Sequence, residues 1–162
     1  MRIHHTMSTR ATIMLAGQQE ARIDVHGARE EGARLSVVWG TLLLTVTAAD
    51  QAHALREAFA DARIAAQRIP AAIDPAILAA RIGNEAYLPT IAVTYIEPPR
   101  CAISSHSSGA NSPGGWAHQQ HWLHIKAGVV LFRVFDQAAH ASTVELLSNA
   151  AAVADSTLPA AL

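Results

Sequence analysis

The chain has little cysteine, lysine and aromatic content. Cys101 is the only cysteine among 162 residues, which excludes an internal disulfide. A free thiol is typical of a reducing compartment, so we expect a cytoplasmic protein. Aromatic residues make up 5% of the chain, but apolar residues make up 51% and charged residues only 15%, and this apolar content with little charge argues against disorder. No apolar run approaches the roughly 18 residues of a membrane span, so we expect no membrane partner.

Neither sign of charge is in excess. The formal net charge is −1 at pH 7 with all nine histidines counted as neutral. The sequence therefore lacks the basic excess that is typical of strong nucleic-acid binders, and it has no acidic tail. Of the twelve basic residues only Lys126 is a lysine. This preference for arginine, together with abundant alanine, is typical of GC-rich coding sequences and suggests a bacterial source.

Apolar alternation is the main pattern that the sequence does contain. It predicts strands at 11–17, 20–26 and 89–97, and hairpins at 33–47 and 121–135. In each hairpin the apolar phase flips at a glycine, Gly40 or Gly128. A turn at Trp39-Gly40 pairs Val37 with Leu42, and the same logic pairs Ile125 with Val130. Either pairing places the apolar residues of the hairpin on one face.

Helical spacing and capping residues predict three helices. The first spans 48–69 with Asp50 as its N-cap, and the second spans 73–83 with Asp74 as its cap and Pro75 at its first position. The third spans about 137–154 and is capped by Asp136. Between the second and third helices, residues 98–120 form a long Ser/Gly/Pro-rich loop, and loops of this length are often functional.

This order of elements predicts an α+β protein. We expect an antiparallel sheet of about seven strands with helices packed on one face, in a single domain over 8–157. Residues 11–69 and 89–154 show a similar order, with Leu35 and Gly40 matching residues 88 positions later. Two pseudo-repeated hairpin–helix units are therefore one interpretation, and convergence on the same pattern is the other. Whether residues 1–6 are native is left open.

The sheet face without helices is the predicted binding surface. Its candidate residues are Arg34, Trp39, Leu43, Trp122, His124, Lys126, Leu131 and Arg133. Leu43 and Leu131 occupy matching positions in the two units, and exposed apolar residues at matching positions favour self-association. The sequence therefore predicts a non-enzymatic binding or accessory protein that uses this face and the long loop, and that self-associates or binds a protein partner. No catalytic residue and no resident cofactor is predicted.

Two alternatives remain open. His118 and His121 could ligate a metal such as zinc, with Cys101 or His106 completing the site, in a metal-binding protein or metal-dependent enzyme. No HExxH or CxxC motif supports this site, and the odd spacing places His121 and His124 on opposite faces of a strand. The second alternative is a nucleic-acid-binding accessory protein that stacks bases on the open sheet face.

A nucleophilic cysteine has less support from the sequence. Cys101 follows Pro-Pro-Arg at the start of the long loop, and several histidines lie near it in sequence. A Cys–His pair is conceivable. A single cysteine without a family signature is, however, more often inert.

Overall fold

The structure is a computed structural model that describes residues 10–82, 90–108 and 120–159. Its strands are β1 (Ala11–Leu15), β2 (Arg22–His26), β3 (Arg34–Trp39), β4 (Leu42–Val46), β5 (Ile91–Tyr95), β6 (Cys101–Ser107), β7 (His121–Ala127) and β8 (Val130–Val134). Its helices are α1 (Ala49–Asp61), α2 (Arg63–Ala66), α3 (Pro75–Ile82) and α4 (Gln137–Thr157). No helix in these ranges is long and apolar enough to cross a membrane.

The strands form two mixed sheets of four strands each. Sheet A has the order β1-β8-β7-β6, and sheet B has the order β2-β3-β4-β5. In each sheet one pair is parallel, β1 with β8 and β4 with β5, and the other pairs are antiparallel. The predicted α+β class is confirmed. The prediction of one antiparallel sheet of about seven strands is wrong. β1 pairs in parallel with β8 from the second half of the chain, and β5 pairs in parallel with β4 from the first half.

The two halves of the chain share one order of strands. Sheet B takes β2, β3 and β4 from the first half and β5 from the second, whereas sheet A takes β6, β7 and β8 from the second half and β1 from the first. The first strand of each half is thus exchanged. This arrangement gives the halves 11–69 and 89–154 matching topology, and an origin by duplication stays a prediction.

Both hairpins have a register two residues away from the predicted one. The observed partners are Val37 with Leu44 and Ile125 with Phe132. The turns are Gly40-Thr41 and Gly128-Val129, with φ of +56° at Gly40 and +58° at Gly128. A positive φ at the first central residue of a two-residue turn favours glycine. Because the shift is two residues, the apolar side chains keep their predicted face.

The predicted loop 98–120 contains a strand that the sequence analysis missed. β6 occupies Cys101–Ser107 and pairs with β7 along its whole length. Six of its seven residues are exposed, so it has no apolar alternation to mark it as a strand. The loop prediction is therefore wrong for these residues, and residues 109–119 lie outside the described part of the chain.

The helix predictions are partly confirmed. The helix expected at 48–69 is divided into α1 and α2, and Asp50 is not its N-cap. Instead the side-chain oxygen of Gln51 accepts a hydrogen bond from the N–H of Thr47 at 2.8 Å. The Asp74 carboxylate accepts from the N–H of Ala76 at 2.8 Å, and Asp136 caps α4, so both of these caps are confirmed.

The inner faces of both sheets meet α1 and α4 in one apolar core. Phe132 of sheet A stacks on Trp39 of sheet B, with 5.7 Å between ring centroids, and lies edge-on to Phe59 of α1 at 5.3 Å. The buried Tyr95 hydroxyl of sheet B donates to the carbonyl of Ala127 in sheet A at 2.7 Å. The core therefore covers one face of each sheet and leaves the opposite, outer faces to present functional side chains.

Candidate functional site

The structure divides the predicted binding surface among three places. Trp122, His124, Lys126, Leu131 and Arg133 occupy outer positions of sheet A, Arg34 and Leu43 occupy the outer face of sheet B, and Trp39 lies in the core.

Two of these residues are not exposed as expected. Trp39 is only 6% exposed, and its indole N–H donates to the side-chain oxygen of Gln19 at 3.0 Å. Leu131 is 9% exposed, whereas its counterpart Leu43 is half-buried. The surface positions predicted for Trp39 and Leu131 are therefore wrong, and glutamate at position 131 would disturb packing as well as any interface.

Five side chains on the outer face of sheet A form a group that we call the His–Trp cluster. Ser104 and His106 come from β6, Trp122 and His124 from β7, and Arg133 from β8. The strand register places Ser104, His124 and Arg133 in one row and His106 directly opposite Trp122. Alternation along each strand directs these side chains away from the core. Three neighbouring strands thus bring together residues that are far apart in sequence.

Hydrogen bonds and ring stacking hold the cluster together. The indole Nε1 of Trp122 donates to Nε2 of His124 at 3.0 Å, so this histidine nitrogen carries no proton. Nε2 of His106 and Oγ of Ser104 lie 2.9 Å apart, within hydrogen-bond distance. The His106 ring stacks on Trp122 with 5.9 Å between centroids and contacts the His124 ring in a tilted arrangement with 3.8 Å between centroids. The rings form a preorganised surface because each is held by its neighbours.

The surroundings of His124 favour its neutral form. Burial lowers the pKa of His124 below its ordinary value of 6.5, and the nearby His106 and Arg133 lower it further. The hydrogen bond from Trp122 acts in the same direction, because it requires an unprotonated Nε2. At neutral pH Arg133 and Lys126 place fixed positive charges on the strands beside the rings, and Arg68 lines a cavity together with His106 and Trp122.

This lowered pKa predicts a pH-dependent stability. As the pH falls below about 6.5, the unfolded chain binds a proton at His124 before the folded chain does, which favours unfolding. The stabilising contribution of neutral His124 is therefore complete above about pH 6.5, and it is lost as the pH falls toward the folded-state pKa. His124→Gln retains an acceptor for Trp122 but cannot titrate. We expect the free energy of unfolding to fall more for wild type than for H124Q between about pH 7.5 and about pH 5.5 in urea titrations. Equal losses would contradict the prediction.

The outer face of sheet A carries no acidic residue at any of its described strand positions. These positions are Thr12, Met14, Ala102, Ser104, His106, Trp122, His124, Lys126, Leu131 and Arg133. The guanidinium Nε of Arg133 is buried and has no hydrogen-bond partner within the described ranges. Buried donors of this kind usually find a partner. The face is therefore suited to an anionic ligand group.

The outer face of sheet B has a different character. It forms a concavity of about 960 Å³. It contains the half-buried pair Val38 and Leu43, which lie opposite each other near the hairpin end of β3 and β4. Arg22 and Asp24 form an ion pair at 2.9 Å on the flanking strand, and Arg34 is exposed nearby. Because Asp24 compensates one arginine, this face is polar with little net charge.

The structure leaves the metal alternative without a complete set of ligands in the described ranges. His118 lies outside these ranges, and His121 lies exposed on β7. His121 lines a cavity of about 360 Å³ together with Arg68 of the segment after α2. No group of three or more His, Cys, Asp or Glu side chains that could hold a metal occurs within residues 10–82, 90–108 and 120–159. A metal site at His118 and His121 stays an untested prediction.

The Cys101 thiol is in an environment that disfavours the thiolate. Its Sγ donates to the carbonyl of Pro99 at 3.4 Å. Burial raises the pKa of the Cys101 thiol above its ordinary value of 9.0. Because the thiolate is the nucleophile, a protonated thiol at neutral pH does not support nucleophilic catalysis.

Five residues of this face were predicted from the sequence, whereas Ser104 and His106 of the cluster were missed. Ser104 lies in the stretch interpreted as loop, and His106 was considered only as a loop ligand to a metal. The alternation of Ser104 and His106 on one side of β6 was the available signal, but the apolar contrast that usually marks a strand is absent. No protein-family model, curated protein or solved structure matches this chain.

Proposed function

We propose that the protein is a non-enzymatic binding protein that holds an acidic segment of a protein partner on the outer face of sheet A. One observation carries the proposal. Arg133 of the His–Trp cluster and the neighbouring Lys126 lie on a face whose described strand positions contain no Asp or Glu. Such a face complements negative charge.

The chemistry of the cluster fits a protein interface. Arginine and tryptophan are enriched among the residues that dominate binding energy, because they combine a large contact area with directed hydrogen bonds. Arg133 occupies an outer position of this face opposite His124, and guanidinium groups bind carboxylates in paired geometry. Trp122 and the two histidine rings supply the apolar contact area beside it. An acidic segment with apolar residues next to its carboxylates would match both features.

Catalysis has weaker support than binding. The Ser104–His106 pair resembles a nucleophile with its base, but the described outer face offers no carboxylate to orient the histidine. The protonated Cys101 thiol gives no alternative nucleophile.

Single-stranded nucleic acid is the second candidate partner, because three rings on an open sheet face could stack bases. Two observations favour protein over nucleic acid. The His106 ring already stacks on Trp122 and lies tilted against His124, so the rings partly cover one another. The described strand positions of this face contain two fixed cations, Arg133 and Lys126, and nucleic-acid affinity comes largely from neutralised phosphates.

A selection from a random peptide library tests this proposal. We expect wild-type protein to enrich peptides in which Asp or Glu adjoins apolar residues. Against one such peptide, Arg133→Gln is expected to weaken binding at least about tenfold, because truncating one partner of a desolvated charge pair costs about 2–5 kcal/mol. Fluorescence anisotropy measures the dissociation constant. Arg34→Gln, which removes an exposed arginine from sheet B, is the matched control and should bind like wild type.

Two outcomes would overturn the acidic-partner proposal. One is a failure of the peptide tests, either because the selection enriches no acidic peptides or because R133Q and R34Q weaken peptide binding equally. The other is tighter binding of a single-stranded oligonucleotide with a steep salt dependence, which would favour the nucleic-acid candidate.

A further inference from the structure

Among the described strands, β6 forms one edge of sheet A, and its own sequence lacks the features that usually protect an edge. Its seven residues pair with β7 without interruption, so it contains no bulge. Its sequence, CAISSHS, has no proline, lysine, arginine or carboxylate, and six of its residues are exposed. By contrast, the edge strand β2 of sheet B carries Arg22 and Asp24. Monomeric proteins usually blunt exposed edges with charges, prolines or bulges, so β6 is open to pairing with another strand.

The hydrogen bonds at the two ends of β6 show which of its backbone groups face outward. The N–H of Gly128 donates to the carbonyl of Arg100 at 3.0 Å, and the N–H of Ser108 donates to the carbonyl of Gln120 at 2.9 Å. Hydrogen-bonded pairs alternate along an antiparallel ladder, so the even-numbered residues of β6 direct their backbone groups to β7. Cys101, Ile103 and Ser105 therefore direct theirs outward. No backbone hydrogen bond reaches these three residues from that side within the described ranges.

Ile103 ends an apolar row that crosses sheet A. The register aligns Ile13, Phe132, Ile125 and Ile103 on the side that faces the core. Phe132 is 1% exposed and Ile125 is fully buried, but Ile103 is 38% exposed. The row thus stops at an apolar side chain that is covered on one side only. A second isoleucine placed beside Ile103 would extend the row and bury it.

We propose that β6 pairs antiparallel with β6 of a second copy of this chain, with Ile103 opposite Ile103 of that copy. In this register Cys101 lies opposite Ser105 of the copy, so Cys101, Ile103 and Ser105 each have a partner. Three hydrogen-bonded pairs supply about six backbone hydrogen bonds, two for each pair. The strand contains no Lys, Arg, Asp or Glu, so no fixed charge on it repels an identical strand. The product is a continuous sheet of eight strands that brings two His–Trp clusters onto one face, and the pairing does not depend on what that face binds.

The oligomeric state of charge variants at position 103 tests the pairing. Wild-type protein is expected to sediment as a dimer in analytical ultracentrifugation. Ile103→Lys and Ile103→Glu should each be monomeric, because like charges would lie directly opposite each other. An equimolar mixture of I103K and I103E should recover the dimer, which also shows that both variants are folded. Ile96→Lys changes an isoleucine that is 86% exposed just after β5, and it should leave the dimer unchanged.

Disulfide trapping tests the register in a Cys101→Ser background. Ala102 would lie opposite Ser104 of the copy as a non-hydrogen-bonded pair, with Cα atoms about 4.5 Å apart, which permits a disulfide. Chains with Ala102→Cys mixed with chains with Ser104→Cys should cross-link to each other faster than either variant cross-links to itself. Faster self-cross-linking of S104C would overturn the Ile103-centred register.

A monomeric wild-type chain, or an I103K variant that dimerises like wild type, would overturn the self-pairing. In the first case β6 would be left open to a strand of another protein. The outcome is separable from that of the proposed function, because R133Q is expected to weaken peptide binding and leave the dimer intact.

Discussion

Asp136→Ala is expected to lower the free energy of unfolding by roughly 3–5 kcal/mol, the sum of a lost helix cap and stranded backbone donors. The Asp136 carboxylate is 1% exposed and accepts hydrogen bonds from three separate segments. The donors are the N–H groups of Gly17 at 2.9 Å, Ile73 at 3.1 Å and Ala139 at 2.8 Å. Alanine would leave these partly buried donors without a partner. Asp136 thus joins the end of β1, the segment before α3 and the start of α4.

Urea titration of D136A measures this effect, and Asp74→Ala is its matched control. Asp74 also caps a helix, but it is exposed. Within the described ranges its carboxylate accepts a hydrogen bond only from the N–H of Ala76. A lost cap of this kind costs about 1 kcal/mol. If D136A were no more destabilising than D74A, Asp136 could not be joining three segments.

Phe132→Ala is expected to destabilise the protein by about 3–5 kcal/mol, because a buried aromatic ring is replaced by a cavity. Its ring contacts Trp39 of sheet B and Phe59 of α1, so its loss weakens all three layers at once. We expect a single unfolding transition at lower urea concentration, because the sheets share one core. This result would support the predicted single domain over 8–157.

Circular dichroism and tryptophan fluorescence measured on the same samples distinguish one transition from two. Coincident curves are expected for wild type and for F132A. Val129→Ala, in a turn residue that is 52% exposed, should change stability by less than about 0.5 kcal/mol. Separate transitions would show that the two sheets unfold independently and would contradict a single domain.

Trp39 and the turn next to it show how a local error misplaced a candidate residue. The apolar pattern predicted a turn at Trp39-Gly40, and an indole in that turn would be exposed. The turn is Gly40-Thr41, because glycine accepts the positive φ of its first position. Trp39 is therefore the last residue of β3, and it shares the inward phase of Leu35 and Val37. The apolar pattern could not separate the two turns, because a shift of two residues preserves the face of every side chain.

The His–Trp cluster was predictable in part. Alternation placed Trp122, His124 and Lys126 on the outer side of β7, and the structure agrees. Ser104 and His106 could not be added, because a strand with almost every residue exposed has no apolar contrast. An edge strand is stabilised by hydrogen bonds to a single neighbouring strand, and the local sequence does not show which strand that is.

The sequence by itself determined the local elements: both hairpins, the caps at Asp74 and Asp136, and the apolar face of each strand that it predicted. Only the tertiary structure decided that the strands form two sheets and that β1 and β5 are exchanged between the halves. Periodicity shows which face of a strand is buried, but it carries no information about which strand lies beside it. The pairing of β1 with β8 joins the first described strand to the last one. It depends on how both sheets and α1 share the core around Phe132.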